Sequence, residues 1–308
     1  MKFSIIIPTY NEEHDIVATL EALLRLDYQD KEIMVVDDST DRTPDIVRGY
    51  ADHGVRLIHP GGGGRCEARN LGIREATGEI VVILNADAHL PPDFLQRLVP
   101  HYEQGAGYVL VFSKVSNLDD LFARYIGCFS DVSYESPDYG WMNWTEGFSC
   151  RKDIALKAGL FPTGFLMPIC AGEDGFFGEG LKKVGARKVV DLSIVVDHVA
   201  PNSWREFWHN RKGRGAGSAQ VHRFLYKWPF SKIVIRNFLK TLRSVAYGMT
   251  LAPALLLCSR AVRHSHRGNA DLLPFFGVWL LERIAFHLGE WEATFQIMQE
   301  ERALMQKA

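Results

Sequence analysis

Phe3-Ser4-Ile5-Ile6-Ile7-Pro8-Thr9-Tyr10-Asn11-Glu12 is a β-branched apolar run that breaks at a proline into polar residues. Two later stretches repeat the pattern: Ile33-Met34-Val35-Val36 ends in Asp37-Asp38, and Ile80-Val81-Val82-Ile83-Leu84 ends in Asn85-Ala86-Asp87. A short apolar run bounded by polar residues reads as a buried strand. Open parallel sheets bind ligands beyond the carboxyl ends of their strands, so three such ends converge on one crevice although they are far apart in sequence. Carboxylates at that place point to a metal-assisted nucleotide site.

Strands are predicted near 3–7, 32–37, 55–58 and 79–84 with helices between them, the repetition of a parallel sheet with right-handed crossovers. Asn11 is placed to cap a helix whose apolar face is Ile16, Leu20, Leu23 and Leu24, and Pro44 suits the first turn of another. The Ser39 hydroxyl is expected to cap that second helix. Pro91-Pro92 opens a third. Further on, the patterning predicts a strand near 108–112, helices over Leu118–Phe129 and Gly172–Val184, and apolar runs at 188–190 and 194–196. Gly61 to Gly64 lacks the following Lys-Ser or Lys-Thr of a phosphate-binding loop and reads as a turn.

A chain of 308 residues, 47% of them hydrophobic, can bury a sizeable core in one or two domains. Its net charge of -2 hides an asymmetry: Arg205 to Arg267 holds thirteen Lys or Arg against Glu206, leaving 22 basic and 36 acidic residues elsewhere. An acidic body with a basic C-terminal segment implies an anionic partner for that segment. The segment carries long apolar runs and no readable nucleic-acid motif, so nucleic acid is not the expected partner. Five scattered cysteines without a Cys-x-x-Cys spacing suggest a reducing compartment rather than a zinc site or disulfide framework. The first apolar run, cut by Pro8, is shorter than the core of a signal peptide.

After Gly217 the pattern becomes helical. Lys232, Arg236, Lys240 and Arg243 recur at helical spacing, while Phe230, Val234, Phe238, Leu242 and Val245 line another face. Uncharged stretches follow at 244–259 and 272–281, which is 16 and 10 residues. A spanning helix needs about 20 predominantly apolar residues. Interfacial docking or a shallow hairpin therefore fits better, with Phe275, Phe276 and Trp279 near the lipid boundary. A helical subdomain or an oligomer interface would use the same apolar faces.

The motifs in order are Ile6 to Glu12, Val36-Asp37-Asp38-Ser39-Thr40-Asp41, Ala68-Arg69-Asn70-Leu71-Gly72, Asn85-Ala86-Asp87, Gly172-Glu173-Asp174 and His209-Asn210-Arg211. Together they resemble a family-2 glycosyltransferase with the GT-A fold, over roughly Phe3 to Gly217. The resemblance implies an α/β, Rossmann-like, mostly parallel sheet flanked by helices in residues 1–217, followed by a helical, membrane-associated region in 218–308.

The activity it implies is inverting transfer of a sugar from a nucleoside-diphosphate donor to a hydroxyl of a lipid-linked or cell-surface glycan, at the cytoplasmic face of a membrane. Breaking the anomeric bond builds charge on the leaving diphosphate, and a hard cation, Mg²⁺ or Mn²⁺, neutralises it through carboxylate and phosphate oxygens. Asp87 is the expected metal ligand, with His198 and His89 at further metal-side positions of the family. The family usually shows Asp-x-Asp here. Asn85 stands in the first position and offers an amide to a ribose hydroxyl or to the metal without negative charge.

Asp38 sits where the family contacts the base, and a carboxylate accepting from a ring N–H favours uracil. Pro8, Thr9 and Tyr10 would wall the base pocket, and Glu12 would bind ribose or complement a helix dipole. Arg69 belongs to the same donor-binding set, and Arg211 and Arg214 would reach the diphosphate as bidentate partners. Asp174 is the implied general base, with Glu173 orienting the acceptor or holding the base. Trp144, Glu146 and Gly147 either contact a sugar or belong to the core. Alternatives on the same fold are a polyprenyl-phosphate sugar synthase, whose ionised acceptor needs no strong base, and a degenerate nucleotide-sugar-binding scaffold.

Overall fold

The computed structural model describes residues 1–135 and 145–307. They divide into two compact units, one of Met1–Lys114, Met142–Pro168 and Glu173–Val199, the other of Val115–Trp141, Ile169–Gly172 and Ala200–Ala308. The division differs from the boundary expected at 217. Helix α8 (Trp204–Gln220) belongs to the second unit because Gly215 and Gly289 let its backbone touch that of the C-terminal helix α11 (Leu272–Lys307).

The first unit holds a mixed sheet of eight strands among the described residues. They are β1 (Phe3–Thr9), β2 (Lys31–Asp37), β3 (Val55–Ile58), β4 (Ile80–Ile83), β5 (Ala88–His89), β6 (Tyr108–Val115), β7 (Phe148–Arg151) and β8 (Lys188–His198), in the order β3-β2-β1-β4-β7-β6-β8-β5. The β3-β2-β1-β4 half is parallel, as expected. The pairs β4–β7, β6–β7 and β5–β8 are antiparallel, so the sheet is less uniformly parallel than the first hundred residues suggest. The apolar runs at 188–190 and 194–196 lie on one strand, β8.

Period-two alternation builds the core. Phe3, Ile5, Ile7, Ile33, Val35, Ile80 and Val82 face one layer with helices α1 (Ile16–Leu24) and α4 (Phe94–Glu103). Ile6, Met34, Val36, Val81 and Ile83 face the other with α3 (Gly64–Glu75) and α7 (Glu173–Lys183). Each such side chain, wholly buried, contributes about 1.5–3 kcal/mol. Strands covered on both faces explain the continuous apolar runs that decide the fold. Gly72 lets α3 lie directly on β1 and β2, because a Cβ there would collide with Ile6 and crowd Val36 at 3.3 Å. Pro8 lies beyond the last β1–β4 pair, Ile6 with Ile83, so its missing N–H costs no ladder bond on that side.

Two caps differ from expectation. Asn11 adopts φ 58° and its Oδ1 accepts from the Thr40 N–H at 2.9 Å, so it clamps the β2 loop and leaves α1 uncapped by a side chain. Helix α2 (Thr43–Arg48) starts under Asp41, whose Oδ1 accepts from the Thr43 N–H at 2.9 Å, while Ser39 accepts from the Asn11 N–H at 2.7 Å. Both loops fold against each other, which one-dimensional cap signals do not encode.

The second unit is helical: α5 (Leu121–Tyr134), α8, a π turn at Val221–Leu225, α9 (Phe230–Thr250), α10 (Ala252–Ala261) and α11. The strand-following α6 (Lys152–Lys157) lies in the first unit. Tyr125, Phe207, Cys258, Phe275 and Trp279 form the second unit's core, and Arg124 pairs with buried Asp271 at 2.7 Å. Phe275 and Trp279, expected at a lipid boundary, are thus core residues. Among the described residues one helical stretch, Gly268–Gln306, is long and apolar enough to cross a membrane; α9 and the α10 segment pass the same measure together with an 85° bend between them.

The cations of α9 divide. Arg236 and Lys240 turn inward to Glu290 of α11, at 2.5 and 3.1 Å, while Lys232 and Arg243 are exposed together with Phe238, Leu242 and Val245 of the apolar face. A buried carboxylate needs partners, and Glu290 draws the cations to the packed side.

Candidate active site

The ends of β1, β2 and β4 gather polar residues within the first unit, as the opening stretches predict. At the end of β1, Thr9 donates to Asp37 Oδ1 at 2.7 Å, and Ser39 Oγ donates to the same oxygen at 2.5 Å. Asp37 is fully buried and spent on this turn. Asp38 is half-buried, and its Oδ1 accepts the Gly62 N–H at 3.2 Å from the Gly61 to Gly64 turn, whose residues all have positive φ. Tyr10 is 64% exposed, while Thr9 is buried with its hydroxyl committed to Asp37.

Beyond β4, Thr19 of α1 donates to the Ala86 carbonyl and holds the Asn85-Ala86-Asp87 turn. Asp87 Oδ2 lies 3.2 Å from His198 Nε2, while its Oδ1 is buried without a hydrogen-bond partner among the described residues. Glu12 lies close by: burial first, then the charge on Asp87, push its carboxyl up to about 7. An orphaned carboxylate oxygen beside a second acid and a histidine nitrogen fits a divalent cation. Among the described residues no three His, Cys, Asp or Glu side chains form a ready-made metal cage. Such a donor set suits an ion that takes its remaining ligands from a substrate diphosphate and water.

His89 stands apart from this group. Antiparallel pairing matches Ala88 with His198 and His89 with Asp197, so the two histidines project to opposite faces. His89 lines a separate cleft of about 470 Å³ with Glu21, Arg25 and Asp197.

On the other side of Asn85 lies a network that the sequence motifs list but do not connect. Arg69, 2% exposed, donates from Nη1 to Glu173 Oε1 at 2.7 Å and from Nη2 to Thr145 Oγ1 at 3.2 Å and Asn85 Oδ1 at 3.4 Å. Asn85 Nδ2 in turn donates to Glu146 Oε1 at 3.3 Å. Asn85 thereby uses both ends of its amide between a cation and an anion. Burial works against ionised Glu173, but Arg69 and then Arg65, at 3.8 Å, hold its carboxyl below the usual range.

Asp174, next in the first turn of α7, behaves oppositely: burial first, then the charge of Glu173, raise it to about 6. Its Oδ1 accepts the Gly175 N–H at 2.8 Å. A carboxyl poised near neutrality beside a fixed anion suits proton transfer.

Asn70 makes a reciprocal pair with the Phe161 backbone, 2.9 Å in both directions, and ties the 160s loop to α3. Gly147 is buried at φ 74°, where a Cβ would meet Val196 at 2.8 Å, so packing requires a glycine there. Trp144 lies outside the described residues. In the second unit Arg211 is only 6% exposed, with Nε 3.7 Å from Glu282 and its guanidinium over Phe207, whereas Arg214 is exposed. Within that unit α8 packs Arg211 against α11 and leaves Arg214 open to solvent. Arg65 and Thr145 were not anticipated; the i, i+4 spacing of Arg65 and Arg69 at the start of α3 is the signal that could have revealed the first.

A family model, glycosyl transferase family 2, matches residues 4–161. The uncharacterized glycosyltransferase EpsJ of Bacillus subtilis is 39% identical over 104 residues, 33% of this chain and 30% of that protein. The poly(ribitol-phosphate) beta-N-acetylglucosaminyltransferase TarS of Staphylococcus aureus is 36% identical over 102 residues, 31% of this chain and 18% of TarS. The matched segments thus span less than a third of these relatives. The structure of TarS 1-349 in complex with UDP-GlcNAc superposes with TM-score 0.54 and 16% identity over 96% of this chain and 92% of that one. The mannosyltransferase PcManGT of Pyrobaculum calidifontis, in complex with GDP-Man and Mn²⁺, gives 0.61 and 23% over 96% and 87%. These likenesses show a GT-A fold.

Proposed function

The chain belongs to glycosyl transferase family 2, and we propose that it transfers a sugar, with inversion, from a uridine diphosphate donor to a hydroxyl of a lipid-linked or surface glycan at the cytoplasmic side of a membrane. The observation that carries this reading is the chain of contacts Glu173–Arg69–Asn85. It ties the residue beside Asp174 to the residue two before Asp87, so a base and a cation-binding acid share one neighbourhood.

Asp174 takes the proton of the acceptor hydroxyl as its oxygen attacks the anomeric carbon opposite the leaving diphosphate; one displacement inverts the configuration. Glu173, ionised against Arg69, keeps the Asp174 carboxyl raised and oriented. Asp87, with His198 beside it, would hold Mg²⁺ or Mn²⁺ through part of its coordination sphere, and the ion would supply charge neutralisation for the departing phosphate. Asp38 and the Gly61 to Gly64 turn receive the base.

The donors held by TarS and PcManGT, UDP-GlcNAc and GDP-Man with Mn²⁺, support a nucleotide-sugar donor and a divalent ion. A hydroxyl acceptor follows from Asp174, since a polyprenyl phosphate is already ionised and would leave the base without a task. Incubation with a panel of UDP- and GDP-sugars, with and without Mg²⁺ or Mn²⁺, tests the reading. Consumption of a UDP-sugar with an inverted product anomer is expected; inactivity with every donor despite tight UDP binding would instead fit a binding scaffold.

A further inference from the structure

The second unit carries an apolar surface that no part of the proposed chemistry uses. Along α9, Ile235, Phe238, Leu239, Leu242, Val245 and Met249 recur at i, i+3, i+4 spacing and are each 51–79% exposed. On α11, Leu288 and Phe295 are 43% and 52% exposed. The two stripes meet at one seam. Trp291 Nε1 donates to Thr241 Oγ1 at 3.2 Å. Thr241 lies between Phe238 and Val245 on the α9 surface, and Trp291 between Leu288 and Phe295 on that of α11, by the same three- and four-residue spacing. The Trp291 and Phe295 rings stack at 5.8 Å. The stripes are therefore one patch across two packed helices, not scattered side chains, and a patch of this kind marks an interaction surface.

The charge pattern selects the occupant. Lys232 and Arg243 are eleven residues apart, three helical turns, and stand exposed on one edge of the α9 stripe. Arg260, Arg263 and Arg267 are exposed on the segment that follows the bend. From 207 to 270 the sequence contains no Asp or Glu, so that edge offers no acid to a second copy, whose own Lys232 and Arg243 would arrive in an isologous contact. An anionic lipid surface supplies both the apolar phase and the countercharge. With Arg236 and Lys240 turned inward to Glu290, the middle of the outward face is apolar and its cations, Lys232 and Arg243, stand only at the edge.

We infer that the α9–α11 seam is a lipid-docking face, seated in the interfacial layer of an anionic bilayer with Lys232 and Arg243 at its headgroups. With 21 residues, α9 lies about 32 Å along the surface. This deepens the membrane-surface part of the proposed function and rests on it for the location of the acceptor alone.

Flotation of the full chain with vesicles tests the inference, comparing pure phosphatidylcholine with about three parts phosphatidylcholine to one part phosphatidylglycerol. The wild type floats with the anionic vesicles. The exposed-face variant F238Q/L242Q/L288Q/F295Q, with an unchanged unfolding temperature, partitions about tenfold less or weaker still. K232Q/R243Q loses the preference for phosphatidylglycerol. Equal flotation of wild type and the four-glutamine variant overturns the inference, as does a lipid-free wild-type dimer that this variant converts to monomer with flotation unchanged. Donor turnover on the same samples keeps the readings apart: a chain that floats and consumes no nucleotide sugar retains the docking face and loses the transferase assignment.

Discussion

Asn85 shows how one atom's identity sets the wiring of a site. Its carbonyl accepts from Arg69 and its amide nitrogen donates to Glu146, a dual role that a carboxylate in the same place cannot fill. N85D would set a second anion 3.3 Å from Glu146 and compete with Glu173 for Arg69. Turnover should fall by about tenfold to a hundredfold, the cost of one unsatisfied or repelled buried group, with acceptor KM more affected than donor KM. Wild-type kinetics in N85D would take the amide out of the network.

Asp174 makes the corresponding statement in pH. Its carboxyl is raised to about 6 and the base acts as carboxylate, so kcat should climb with pH through about 6 and level above it. The sign for stability is opposite. A folded-state pKa above the unfolded one favours the protonated form, so this group's contribution is full below the ordinary Asp value and is lost as pH rises through about 6. A flat rate profile from pH 5 to 7, read as about two units spanning that pKa, would contradict the assignment.

Helices and strands were legible to the extent that their signals are local. The runs at 3–7, 32–37 and 79–84 became β1, β2 and β4 because side chains buried on both faces leave a continuous apolar trace. Gly72 makes such a local signal energetic: G72A forces a methyl into Ile6, and the denaturation midpoint should drop by the equivalent of about 1–3 kcal/mol. An unchanged midpoint would mean that α3 does not sit against β1 as described.

What escaped the sequence reading depends on partners far along the chain. Asn11 meets Thr40, 29 residues on, Arg211 meets Glu282, and α9 turns Arg236 and Lys240 inward to Glu290, 54 and 50 residues away. Arg69 belongs to the same class. Its motif is readable, but its tie to Glu173, 104 positions on, is not. Removing the guanidinium in R69A leaves Glu173 buried without its main countercharge and should cost about 3–5 kcal/mol, read as a lowered urea midpoint.

For the molecule as a whole, metal dependence links the acid cluster to turnover. The orphaned Asp87 oxygen and the raised Glu12 carboxyl offer only part of a coordination sphere, so the cation should bind weakly without nucleotide and tightly with it. EDTA should stop donor consumption, and Mn²⁺ should restore it; turnover indifferent to chelation would remove the ion from the account. The expected division at 217 followed composition, whereas the compact units follow packing, with α5 from the middle of the chain and α8 joining the C-terminal helices.

The assignment of separate tasks to Asp87 and Asp174 is tested most directly by measuring UDP affinity in Mn²⁺ and sugar transfer on D174N beside D87N. D174N should bind UDP like the wild type and transfer no sugar, while D87N should lose the Mn²⁺-dependent part of the affinity. Wild-type transfer by D174N would contradict that assignment.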